Sequence, residues 1–279
     1  MGLIINNQEV TRIELGGVEV EKIEDSQGRI LYEAGPDYFC LASNQDGSYV
    51  YAQGRSGVSL ECSTDKQTWT PWDWEVATYL DEGDKLYLRG TNTTLSDSSN
   101  SWYFRMSGSI AASGDITTML DPDGSVASLP AYSFYRLFSQ CPSLTTAPSM
   151  KSVTTIGNYA CDAMFTGCSS LATLPDLDNV TTVGQWGMAG MFEGCTSLTT
   201  APDLRNITSV GSYGCAAMYH SCSSLVTIYA PSVSSWNTTN FNGWAGSVGS
   251  GGTMWKPSAL TIPSGNNGVP AGWTTQDYN

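Results

Sequence analysis

Positive charge is scarce in this chain: 12 Lys and Arg stand against 26 Asp and Glu in 279 residues, a formal charge of −14. Phosphate-backbone binding is driven by Lys and Arg displacing counterions, so the balance argues against nucleic acid as a partner. It argues equally against docking to anionic lipid. Long apolar runs are missing too. No stretch approaches the roughly 20 apolar residues that a membrane-spanning helix needs, so no membrane insertion is expected. The start, MGLIINNQEVTRIEL, has neither the basic nor the apolar region of a secretory signal, and Asn6 stands where a myristoylation signal takes Ser or Thr. Synthesis and folding in a bacterial cytoplasm are therefore expected. Histidine is nearly absent as well. The single His220 and the lack of any Cys-x-x-Cys remove the usual zinc partners, and there is no Gly-rich phosphate loop. The DPDG at 121–124 and NQDG at 44–47 lack the distal Glu of a calcium loop and read as turns. No metal, no cofactor and no catalytic residue are expected, so the chain is read as a non-enzyme.

What is present points to a mainly β chain. With 29 Gly, 12 Pro, 41% apolar and 14% charged residues, the composition suits a turn-rich β or solenoid protein. Residues 1–34 read as a β-meander: Ile13, Leu15, Val18 and Val20 alternate around Gly16-Gly17, a two-residue hairpin turn, and DSQG at 25–28 turns the chain again. Such a small unit is marginal alone and is expected to attach to a partner. Residues 35–107 carry short extended runs between turn clusters, the spacing of a small antiparallel β-sandwich. Trp69, Trp72 and Trp74 lie close together there, as core and edge packing or as a sugar-stacking platform.

From 108 to about 232 the chain repeats itself. Cys141, Cys168, Cys195 and Cys222 recur every 27 residues, heading units such as CSSLATLPDLDNVTTVGQWGMAGMF. Cysteines at a fixed pitch mark a repeated slot, so they are expected to be buried reduced thiols and not disulfides. A period of this length with a fixed Leu means a solenoid whose turns bury their apolar sides against one another. In each unit two extended runs would point Leu144, Leu171, Leu198 and Leu225, with Val153/Ile156, Val180/Val183 and Ile207/Val210, inward. Cys161, Met164, Phe165 and Cys168 then follow the i, i+3, i+4, i+7 spacing of a buried helical face, so a short helix is expected to close each unit. Residues 233–279 read as an irregular, Trp-containing C-terminal cap. The expected fold is thus mainly β with short helices: meander, small sandwich, then a leucine-rich-repeat-like β/α solenoid of 27-residue units.

The phrase MFTGCSSLATLPDL, preceded by VTTIGNYAC, resembles the BspA-like leucine-rich repeats of bacterial surface adhesins over residues 108 to about 232. The repeat here is a few residues longer, and the export signal of the surface proteins is missing. The closing ALTIPSGNNGVPAGWT is similar to the tails of repeat proteins encoded by gut bacteriophages and prophages. The resemblance implies a viral protein: a bacteriophage virion fibre, or a head or tail decoration protein. It would be held to other virion proteins through residues 1–34, perform adhesion or receptor binding at a host-surface glycan or protein, and assemble as a homotrimer like many fibres. A purely architectural structural protein of capsid or tail is the alternative, and a polysaccharide depolymerase a third.

Within the units, Tyr159, Trp186 and Tyr213 share one position, about 200° around a helix from the buried Cys161/Met188/Cys215 slot. They form a candidate outward aromatic column, facing either a receptor or a neighbouring surface. Ala163, Gly190 and Ala217, four residues on, are expected to leave the ring faces uncovered. Lys151, Asp178 and Arg205 would stack as a ladder of alternating charge. Asp176 and Asp203 would stack as a carboxylate pair, with no difference in environment to divide acid from nucleophile.

Overall fold

The computed structural model describes residues 3–5, 8–10, 14–15, 18–19, 22–24, 30–33 and 36–278. The chain is mainly β with several sheets and divides into two compact units, Met1–Asp37 and Tyr38–Asn279. In the first unit three antiparallel pairs follow one another: β1 (Leu3–Ile5) with β2 (Gln8–Val10), β3 (Glu14–Leu15) with β4 (Val18–Glu19), and β5 (Lys22–Glu24) with β6 (Ile30–Glu33). The turns expected at Gly16-Gly17 and at 25–28 lie outside the described residues, as do Ile13 and Val20.

The second unit opens with β7 (Phe39–Ser43), β8 (Ser48–Gly54), β9 (Leu60–Ser63), β10 (Thr70–Pro71), β11 (Thr78–Leu80), β12 (Lys85–Gly90), β13 (Trp102–Ser107) and β14 (Ile110–Ser113). Alternation sets the faces. In β13, Trp102, Phe104 and Met106 are buried while Tyr103 and Arg105 are half-buried. Strands β11, β8 and β13 make one antiparallel sheet, and β10, β9, β12, β7 and β14 belong to another. Phe104 of β13 meets Phe39 of β7 at 5.9 Å and Trp72 at 6.1 Å, so the two sheets share an apolar core. The three tryptophans go to separate places. Trp72 is buried, Trp74 packs edge-on against Trp102, and Trp69 lies edge-on to Tyr38 under the Arg89 guanidinium.

The remaining strands are β15 (Ser128–Leu129), β16 (Leu144–Thr146), β17 (Thr155–Ile156), β18 (Thr182–Val183), β19 (Thr200–Asp203), β20 (Ser209–Val210), β21 (Thr227–Tyr229), β22 (Thr253–Pro257) and β23 (Thr274–Tyr278). Here pairing is parallel. Strands β15, β17, β18 and β20 form one sheet in which Ile156 faces Val183 and Val183 faces Val210, each pair 27 residues apart. Strands β19, β21, β22 and β23 form a second parallel sheet. The boundary expected at 107/108 falls inside the second unit: β16 adds in parallel to β14, so the six-stranded sheet runs across it. Leu144, Leu171, Leu198 and Leu225 are all buried, at 1% exposure or less.

The short helices are not there. Among the described residues the one helix is a 3-10 turn, Ile116–Met119, started by the Asp115 carboxylate accepting from Thr117 N–H, and none reaches seven residues. Where helices were expected each unit instead runs as a ribbon of consecutive turns, and every fourth residue of it is left-handed. Tyr159 and Ala163 have φ of 57° and 55°, Trp186 and Gly190 56° and 55°, and Tyr213, Ala217 and Ser221 58°, 51° and 62°. The hydrogen bonds explain this departure. Alternate N–H groups point out of their own ribbon: Tyr159, Cys161, Ala163, Phe165 and Gly167 donate to the carbonyls of Gln185, Gly187, Ala189, Met191 and Glu193 in the next unit, over 2.7–2.9 Å. The intervening N–H groups close turns at home, as Met164 does on Cys161 O at 3.2 Å. An α-helix would direct all of them inward along its own axis. A left-handed residue every fourth position is what turns alternate donors toward the neighbour, at about 1–2 kcal/mol for each residue that is not glycine.

One apolar cluster runs through the whole second unit. Phe104 stacks on Phe138 at 5.2 Å, and Phe138, Phe165, Phe192 and Tyr219 continue the stack at 5.3, 5.6 and 6.1 Å with planes within 6° of parallel. All five rings are fully buried. Beside them the repeated cysteines have a definite task. The Cys141, Cys168, Cys195 and Cys222 thiols each donate to the carbonyl of Phe104, Phe138, Phe165 and Phe192, respectively, over 3.0–3.3 Å. All eight cysteines are free thiols, and burial pushes the Cys141, Cys215 and Cys222 thiols up to about 12.

Candidate functional site

The ribbons place Tyr159, Trp186 and Tyr213 directly over one another. Their rings stack nearly parallel, Tyr159 on Trp186 at 6.3 Å and 8°, and Trp186 on Tyr213 at 4.5 Å and 11°. A fourth ring belongs to the column: Tyr132, 27 residues before Tyr159, stacks on it at 5.0 Å and 3° and shares its left-handed backbone, φ 63°. Its spacing from Tyr159 was countable, but the surrounding PAYSFYRLF lacks the Gly and Thr that mark the later units. All four rings are half-buried.

This geometry corrects one expectation. Ala163, Gly190 and Ala217 do not leave the ring faces open, because each inner ring is covered on both faces by its neighbours in the column. The column therefore presents ring edges, with the outer faces of Tyr132 and Tyr213 at its ends.

Polar side chains of successive ribbons also approach one another. His220 Nδ1 is 3.0 Å from Ser221 Oγ and 3.5 Å from Glu193 Oε1. Burial, with Glu193 adding to it and Arg136 opposing, raises the Asp162 carboxyl to about 7. Among the described residues no three His, Cys, Asp or Glu side chains converge on a metal position. The DPDG segment closes on itself as a turn, Gly124 N–H donating to Asp121 O at 2.8 Å.

A second feature lies where the repeated units meet the C-terminal strands. In each unit a side chain accepts from the N–H two residues on: Ser149 Oγ from Lys151, Asp176 Oδ1 from Asp178, and Asp203 Oδ1 from Arg205. Residues 151, 178 and 205 therefore sit on equivalent turns, but they form no ion pair with one another. Arg205 instead pairs within its own unit, Nη2 to Asp203 Oδ2 at 2.5 Å, with its guanidinium 5.3 Å from the Tyr229 ring and 5.7 Å from the Tyr278 ring. Burial acts to raise the Asp203 carboxyl, yet the Arg205 hydrogen bonds and charge outweigh it and hold it below the usual range. Asp178 goes the other way: burial, then the Asp176 and Asp203 carboxylates, raise it against the pull of Arg205. Asp203 is thus tied to a guanidinium, unlike the paired acid and nucleophile of a glycosidase. Asp178, Arg205 and Tyr278 line a cleft of about 520 Å³. Nothing in the sequence repeat pointed to it, because Pro257, Ser258 and Tyr278 on its far wall lie outside the periodic units.

Compared with known proteins, the chain matches no family model, no curated protein and no solved structure.

Proposed function

We propose that this chain is a non-enzymatic component of a bacteriophage particle, a fibre or decoration protein. In this reading its 27-residue units form a leucine-rich-repeat-like solenoid, with turn ribbons in place of helices. Its outer aromatic column contacts a glycan or protein on the host surface. The resemblance of the units to BspA-like repeats supports the setting. The parallel pairs and ribbon-to-ribbon hydrogen bonds between residues about 27 apart support the solenoid. The observation that carries binding is the column itself: four rings held parallel and half-exposed on a left-handed backbone, with the Tyr132, Tyr159 and Trp186 N–H groups each donating to the next unit. A surface so fixed loses little entropy on binding, and weak contacts multiply over the copies on one particle. Residues 1–34 would attach it to the particle.

One observation favours an architectural role as the second reading. Rings that offer edges and few free faces suit packing against a neighbouring subunit. Replacing Tyr159, Trp186 and Tyr213 together by Ala separates the two. Receptor binding predicts that particles assemble normally and lose attachment to host cells by about tenfold or more. Assembly defects with normal attachment would transfer the column to the architectural role, and no change in either would remove it from both.

A further inference from the structure

The cleft beside Arg205 differs from the aromatic column in chemistry, and its side chains fall into two groups. One group is already committed and rigid. Asp203 accepts from Arg205 Nε and Nη2, Ser232 Oγ donates to Arg205 O at 2.6 Å, and the Tyr278 hydroxyl donates to Ala230 O at 2.5 Å. These contacts fix the guanidinium and the Tyr278 ring behind it. The other group faces the opening without partners among the described residues. The Asp178 carboxylate receives no hydrogen bond, Arg205 Nη1 makes none, and the exposed Ser258 hydroxyl makes none. Asn206 donates through Nδ2 to Asp178 O at 2.6 Å, which leaves its amide oxygen as an acceptor.

We propose that this cleft binds a neutral pyranose unit of a glycan, its hydroxyls bridging the Asp178 carboxylate and Arg205 Nη1 and its C–H face lying on Pro257 and Ala259. The volume of about 520 Å³ lies within the roughly 300–1,000 Å³ of ligand pockets and exceeds what one sugar ring fills. Sugar hydroxyls both donate and accept, and the open groups here are of both kinds: two acceptors, one charged donor and one hydroxyl. Charge disfavours an anion outright, and the fixed guanidinium at the opening sets a cation at a disadvantage against a neutral ligand that can use both kinds of group. An anionic ligand would meet Asp178 and Asp203, whose charges exceed that of Arg205 by one; a cationic one could pair with Asp178 but would leave Arg205 Nη1 facing a like charge, and the lysine peptide below tests that case. The committed contacts hold the site in place before any ligand arrives, which keeps the ordering loss small. The proposal does not rest on the aromatic column, so either can fail alone.

The test is titration of the full chain, followed by ligand-observed NMR and calorimetry. The probes are the methyl glycosides of glucose, galactose, mannose and N-acetylglucosamine, with methyl glucuronide and an acetyl-lysine-amide peptide as charged comparators. At least one neutral glycoside is expected to bind in the millimolar range. Binding should fall about tenfold or more in Asp178→Ala and in Ala259→Trp, which fills the cleft from an exposed position, and stay unchanged in Val76→Ala, at an exposed position that belongs neither to the cleft nor to the column. No neutral glycoside bound at about 20 mM would overturn the proposal. So would binding that survives both cleft variants, or tighter binding of the glucuronide or the lysine peptide.

Discussion

Two columns of rings run along the same ribbons, six residues apart in each unit, and they differ in one respect. The inner column of Phe138, Phe165, Phe192 and Tyr219 is fully buried, and the outer column of Tyr132, Tyr159, Trp186 and Tyr213 is half-buried. Both stack within about ten degrees of parallel. Parallel stacking is therefore set by the backbone ladder that brings equivalent residues over one another, and not by burial. Water exclusion explains why the inner position holds rings. It does not explain the outer position, where aromatic residues recur with less apolar surface to hide.

The sharpest way to break this comparison is to delete one ring from each column. Phe165→Ala leaves a cavity between two rings and is expected to lower unfolding free energy by about 3–5 kcal/mol. Tyr159→Ala removes a half-exposed ring and should cost about 1 kcal/mol. Urea unfolding measures both. Equal losses would mean that the outer rings are core after all, which would end their candidacy as a binding surface.

How far the sequence could be read follows the same division. The pitch, the inward leucines and the outer aromatic position were legible because identical residues return every 27 positions, and a parallel rung makes such residues neighbours. The ribbon was not legible. Cys161, Met164, Phe165 and Cys168 fit the 3.6-residue period of a helix over so short a run, but they fit a four-residue repeat of turns equally well, and all four are buried. What divides the two backbones is where alternate N–H groups go, and that depends on the neighbouring unit. The sheet that crosses 107/108 was hidden for a related reason. Turn residues around Gly108 mark a local break, while the pairing of β14 with β16 is a long-range choice that they do not report. The cleft combines periodic with non-periodic residues, so no spacing marks it.

A smaller effect probes one member of the inner column. Tyr219 stands where the preceding two units have phenylalanine, and its buried hydroxyl has no hydrogen-bond partner. A buried unsatisfied hydroxyl costs about 1–3 kcal/mol. Tyr219→Phe is accordingly expected to raise stability by about 1 kcal/mol, since it restores the ring that Phe165 and Phe192 already place in this stack. A loss in the same measurement would show that the hydroxyl is satisfied in solution.

The smallest expected effect bears on the ladder that sets both columns. In a helix, Ala→Gly costs about 1 kcal/mol because glycine gives up more freedom on folding. Ala163 and Ala217 have φ of 55° and 51°, where the methyl group is itself unfavourable by about 1–2 kcal/mol. Removing it relieves that strain, while the extra freedom of the unfolded chain takes back about 0.4–1 kcal/mol. The difference predicts that Ala163→Gly and Ala217→Gly are each neutral or stabilising by about half a kcal/mol, and Gly190 already occupies the equivalent position between them. Ala160, outside the left-handed positions, should show the ordinary loss on the same exchange. If all three variants lose about 1 kcal/mol alike, the left-handed pattern is wrong. The hydrogen bonds from one ribbon to the next would go with it, and with them the reason both sets of rings stack in line.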